Sequence, residues 1–134
     1  MPKTTILDNT FITMSYDSDA KIVSHKIHQY TSGQPLRDAL LAGVDQLKKN
    51  SAHKWISDDR NSGALPKDDQ EWINTIWTKK AIGAGWKFWA LVMPASVVGL
   101  QNMRRLSDGI AQIGVTLKVF SDPVQALAWL KAAK

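Results

Sequence analysis

The chain reads as an α/β protein: a mostly parallel sheet of about five strands, an antiparallel hairpin at its N-terminal edge, and four helices. Three observations predict this. Apolar residues recur in steps of two along some stretches and in steps of three and four along others. After one hairpin the two patterns alternate, so successive strands must be joined by crossovers and lie mainly parallel. No linker, repeat or low-complexity tract interrupts the 134 residues, a length that suits one domain, 1–134, with an ordered core over about 10–133.

The elements follow in order. "FITMSYDSDAKIVSHKIH" predicts a hairpin with strands over 11–16 and 21–28, turning at Asp17, Ser18 and Asp19. Leu36, Ala39, Leu40, Val44 and Leu47 share one helical face and predict a helix over about 35–49. "HKWIS", 53–57, is a short strand. Pro66 suits a first helical turn, Asp68, Asp69 and Glu71 set negative charge at its positive end, and Trp72, Ile73, Ile76 and Trp77 form a buried stripe. That helix is expected over 67–78. "WKFWALVM", 86–93, is apolar throughout, as in a strand covered on both faces, and Pro94 ends it. Met103, Leu106 and Ile110 carry a helix across 95–112, Gly114 turns the chain, and "VTLKVF", 115–120, is the last strand. Asp122 and Pro123 then open a final helix over "VQALAWLKAA".

Bulk properties exclude several classes of function. Without cysteine there is no disulfide, thiolate metal site or thiol catalyst, and a reducing cytoplasm is the expected location. "FWALVMPASVVGL" is too short to span a bilayer and is cut by Pro94, so integral membrane association is not expected. The net charge of +5 is spread over pairs such as Lys48–Lys49, Lys79–Lys80 and Arg104–Arg105, which complement helix ends and give no nucleic-acid tract.

Within the chain, Asp58, Asp59, Arg60, Asn61, Ser62 and Gly63 follow a predicted strand. In an open α/β sheet that position favours ligands and partners, although short polar residues also lead at such joints for local hydrogen-bonding reasons. Asp58 with Lys118 would suit a magnesium-dependent phosphoacceptor, but the acidic pair this needs after an early strand is missing. His25 and His28 fall on opposite faces of one strand and so do not share a metal. Gly83 and Gly85 precede a strand and serve as turn glycines, not as a dinucleotide fingerprint. Trp86 and Trp89, odd-spaced on one strand, are expected on opposite sides, and Trp77, Trp86 and Trp89 are candidate apolar contacts for a homodimer or partner. No catalytic residue, cofactor or metal site is expected.

"KWISDDRNSGAL", "DDQEWI", "GAGWKFWALVMP" and "VFSDPVQALAWL", in this order and spacing, resemble the small bacterial SpoIIAA-like proteins. Their fold belongs with STAS domains and is similar to lipid-binding CRAL-TRIO domains. The resemblance implies a non-enzymatic regulatory domain working through protein contacts, or alternatively one that binds a small ligand or lipid. It also implies a phosphorylation site at Ser62, where "RNSGAL" departs from the Asp-Ser-Ser-Gly-Leu pattern by having Asn61 in place of a serine and Ala64 before Leu65.

Overall fold

In the computed structural model residues 3–134 are described, the Asn102 side chain apart. Six strands form one sheet in sequential order: β1 (Lys3–Asp8), β2 (Ile12–Asp17), β3 (Ile22–Ile27), β4 (Lys54–Asp58), β5 (Phe88–Val92) and β6 (Thr116–Phe120). The first three pair antiparallel, and β3 to β6 run parallel. The expectation of five strands is therefore corrected to six. β1 lies ahead of the expected start of the core; it is mostly exposed, and a bulge between Thr5 and Leu7 leaves Ile6 and Leu7 neighbours in sequence that both touch the core. That break in the two-residue period is why the strand is hard to read.

The hairpin turn is held by Asp17, whose Oδ1 accepts from the backbone N–H groups of Asp19 and Ala20 at 3.0 and 3.1 Å. Helix α1 (Gly33–Asn50) buries Leu36, Ala39, Leu40, Gly43, Val44 and Leu47, the face its spacing predicts, and places Lys48 and Lys49 at its negative end. The helix expected over 67–78 runs instead as α2 (Lys67–Trp72), a π-helical turn (Ile73–Trp77) and α3 (Thr78–Gly83). The extra residue in that turn slows the rotation of the face, so Trp77 and Ala81 are buried while Ile76 swings out to 45% exposure. The stripe predicted to include Ile76 is corrected accordingly. The helix expected across 95–112 is two pieces, α4 (Ala95–Val98) and α5 (Gln101–Gln112), parted at Gly99 and Leu100. Asp122 caps α6 (Pro123–Ala132) by accepting from Val124 N–H at 2.9 Å.

A sheet that grows in one direction through crossovers of one hand carries its crossover helices on one face. Leu36 and Leu40 of α1, Trp77, Ala81 of α3 and Ile110 of α5 accordingly share one core with Met14, Val23, Ile27 and Trp55 of the sheet. Among the described residues the opposite face is covered by α6 alone, through Ala126 and Leu130 against Ile22, Ala90 and Val92. No helix among the described residues is long and apolar enough to cross a membrane.

Candidate functional site

Parallel strands deliver their C-terminal ends to one edge. At the edge of β3, β4 and β5, on the face carrying the crossover helices, lies a cavity of about 260 Å³. The sheet contributes His25, Ile27, Trp55, Ser57, Trp89 and Leu91, all at odd positions and hence on one face. Leu36 and Leu40 close it from α1, Ile73 and Trp77 from the π turn, and Met103 and Leu106 from α5. Asp59, Ser62, Gly63 and Leu65 form its rim. The π turn matters here: it holds Trp77 inward, where its indole N–H donates to the Leu40 carbonyl at 2.9 Å.

The polar groups of this wall are ordered by one another. Trp55 Nε1–H donates to His25 Nδ1 at 3.0 Å, and an indole N–H can only donate. Nδ1 is therefore bare, the imidazole carries its hydrogen on Nε2, and that hydrogen points to Asp59 Oδ1 at 2.7 Å. Both His25 and Ser57 are buried. Ser57 Oγ accepts from Trp89 Nε1–H at 2.9 Å, and its own hydrogen has no acceptor among the described residues. The rings of Trp55, Trp77, Trp86 and Trp89 follow at centroid separations of 5.3, 5.1 and 5.3 Å, an unbroken aromatic wall. Trp86 Nε1 is buried without a partner among the described residues.

The predicted loop divides between the two faces of the sheet. Asp59 N–H extends the β ladder to the Val92 carbonyl at 2.9 Å, and Asp59 turns to His25. Asp58, one residue earlier, lines the opposite face and is clamped by Arg60, whose Nε and Nη2 donate to the two carboxylate oxygens at 2.9 and 2.7 Å. Burial alone would raise the Asp58 pKa, but the hydrogen bonds from Arg60 and the charges of Arg60 and Lys26 outweigh it and hold the carboxyl below its usual range. Ser62 is buried, its Oγ donating to the Gly63 carbonyl at 3.3 Å. Gly63 has φ +70°, which glycine adopts without strain. Arg60 and Asn61 are exposed.

Trp77 and Trp86 are buried, so of the three tryptophans expected as contacts only Trp89 keeps partial exposure. Trp86 precedes β5, and its ring packs on Trp89; the expected opposition of the two is corrected because Trp86 lies outside the strand period. His28 does lie across the sheet from His25, with its Nε2 2.7 Å from Thr13 Oγ1. Sequence reasoning missed the pairing of His25 with Asp59 and the lining by Leu65, Met93, Met103 and Leu106. The available signal was a histidine and a serine, His25 and Ser57, on faces that are otherwise apolar.

A second hollow, of about 340 Å³, lies over the part of the opposite face that α6 leaves uncovered. Several of its polar side chains are paired, Ser15 with Ser24 at 2.7 Å, Thr13 with Asp8 at 2.8 Å and Asp58 with Arg60, while Lys3 and Lys26 also line it. Among the described residues no three His, Asp or Glu side chains come together to hold a metal ion. Comparisons with family models, curated proteins and solved structures give no match.

Proposed function

We propose that this chain is a non-enzymatic, SpoIIAA-like domain of the CRAL-TRIO-like kind that binds a small hydrophobic ligand in the cavity beneath α1 and α5. The observation that carries this reading is the cavity itself: a space of about 260 Å³, walled by Trp55, Trp77, Trp89 and aliphatic side chains, with His25, Ser57 and Asp59 converging at one end. An apolar pocket with a few fixed polar groups is the usual form of a small-molecule site. Ser57, buried with a donor hydrogen unclaimed among the described residues, adds to the argument. The experiment is native mass spectrometry of the protein purified from its own cells. A small adduct should accompany the wild type and be lost in Met103→Trp, whose indole would fill the space from α5. No adduct, or the same adduct in both, would count against the reading.

A protein-contact role for the loop 58–63 is the second reading, favoured by the exposure of Arg60 and Asn61 beside the cavity rim. Capture of one partner, including a second copy of the chain, by wild type but not by an Asp58→Ala, Arg60→Ala double variant would support it. Regulation at Ser62 would require the loop to open first, because that side chain is buried. Phosphoacceptor chemistry at Asp58 would require Arg60 to release both carboxylate oxygens.

A further inference from the structure

The ligand's chemistry can be narrowed from the charges on the cavity wall, an inference that rests on the binding role proposed above. Among the described residues lining the cavity, Asp59 is the one formally charged side chain; no lysine or arginine lines it. His25 does not neutralise Asp59, because Trp55 fixes the imidazole in its neutral form with a single hydrogen directed at Oδ1. Asp59 Oδ2 has no partner among the described residues, and the side chain is 22% exposed, so this oxygen remains open to a ligand. The walls beside it are aromatic: Trp55, Trp77 and Trp89 line the same space.

A carboxylate end to an apolar wall discriminates sharply between ligand heads. An anionic head, such as that of a fatty acid, would meet Asp59 with no cation to offset the repulsion. A neutral hydroxyl could donate one ordinary hydrogen bond. An ammonium could donate to Oδ2 in a charge-assisted bond and also lie against indole faces, which attract cations. The volume limits the body, since drug-sized ligands occupy roughly 300 Å³ or more.

We propose that the cavity takes a compact hydrophobic amine, its ammonium hydrogen-bonded to Asp59 and its apolar body packed against Trp77 and Trp89. The test is calorimetric titration of the full chain with three probes sharing one body: 2-phenylethylamine, 2-phenylethanol and phenylacetate. The amine should bind about tenfold more tightly than the alcohol, the difference between a charge-assisted and a neutral hydrogen bond, and the acid should be weakest. Asp59→Asn keeps an oxygen for His25 and removes the charge; it should lower amine affinity to that of the alcohol and leave alcohol affinity unchanged.

Equal or tighter binding of the alcohol, tighter binding of the acid, or amine affinity unaffected by Asp59→Asn would overturn the amine assignment while leaving the cavity as a ligand site. Binding of none of the three would overturn both. Should Asp59→Asn fail to fold, salt dependence in the wild type decides instead: amine affinity should fall with added salt while alcohol affinity holds, and a flat amine response overturns the assignment.

Discussion

Gly43→Ala should destabilise the protein even though alanine is the better helix former. Gly43 lies in the middle of α1 on its buried face, and a methyl group there would overlap the six-membered ring of Trp55 and come within 3.0 Å of Met14 Cε. Neither neighbour has room to move, since Trp55 is 1% and Met14 0% exposed. Overpacking of this kind costs about 1–3 kcal/mol. Displacing the indole would also cost the bond from Trp55 Nε1 to His25, adding about 1 kcal/mol or more when a buried donor is left unpaired. Helix propensity returns about 1 kcal/mol. The net expectation is a loss of about 2 kcal/mol. Gly109, within α5, is the matched control: nothing lies within 4 Å of an added Cβ, so Gly109→Ala should stabilise by about 0.5–1 kcal/mol. Urea denaturation followed by tryptophan fluorescence and by helical circular dichroism reads both. If Gly43→Ala matched Gly109→Ala in sign, α1 would not be seated on Trp55, and the ordering of His25 through that ring would fail with it.

Three further outcomes can be checked in the same assay. Asp69 accepts from Gly33 N–H at 2.8 Å and from Arg37 Nε at 3.0 Å. The Gly33 bond foremost, with the Arg37 bond and charge, holds its carboxyl below the usual range despite burial. In the unfolded chain Asp69 takes up its proton nearer the ordinary aspartate value of about 3.9, so its contribution is present above that pH and lost as pH falls through the lower folded value. The urea midpoint of Asp69→Asn should therefore fall less steeply with acid than that of the wild type. His25→Ala should cost about 2–3 kcal/mol, because it strands Trp55 Nε1 and opens space in the core. Asp122→Ala should cost about 1 kcal/mol through loss of the α6 cap.

How much of this was legible in the sequence depended on whether a local period survived. The face of α1, the hairpin turn at Asp17 and the cap at Asp122 obey simple spacing and capping rules, and the structure carries them where those rules put them. The bulge in β1, the π turn at Ile73–Trp77 and the break at Gly99 each shift a period by one or two residues, and there the reading slipped. The loop 58–63 was recognisable as a strand-to-helix joint. Its division, with Asp58 committed to Arg60 on one face and Asp59 to His25 on the other, follows from strand alternation only once His25 and Ser57 are known to be neighbours across parallel strands. Such long-range placement leaves no local trace.

The most direct test of the account is a nitrogen-15 NMR titration of the six indole N–H signals with 2-phenylethylamine. Trp55, Trp77 and Trp89 line the cavity, whereas Trp129, on α6, packs beside Phe120 on the other face. Saturable shifts confined to the cavity tryptophans and the adjoining Trp86, with Trp129 unmoved, are the predicted result. Shifts centred on Trp129, or no shift in any indole signal, would contradict a ligand site in this cavity.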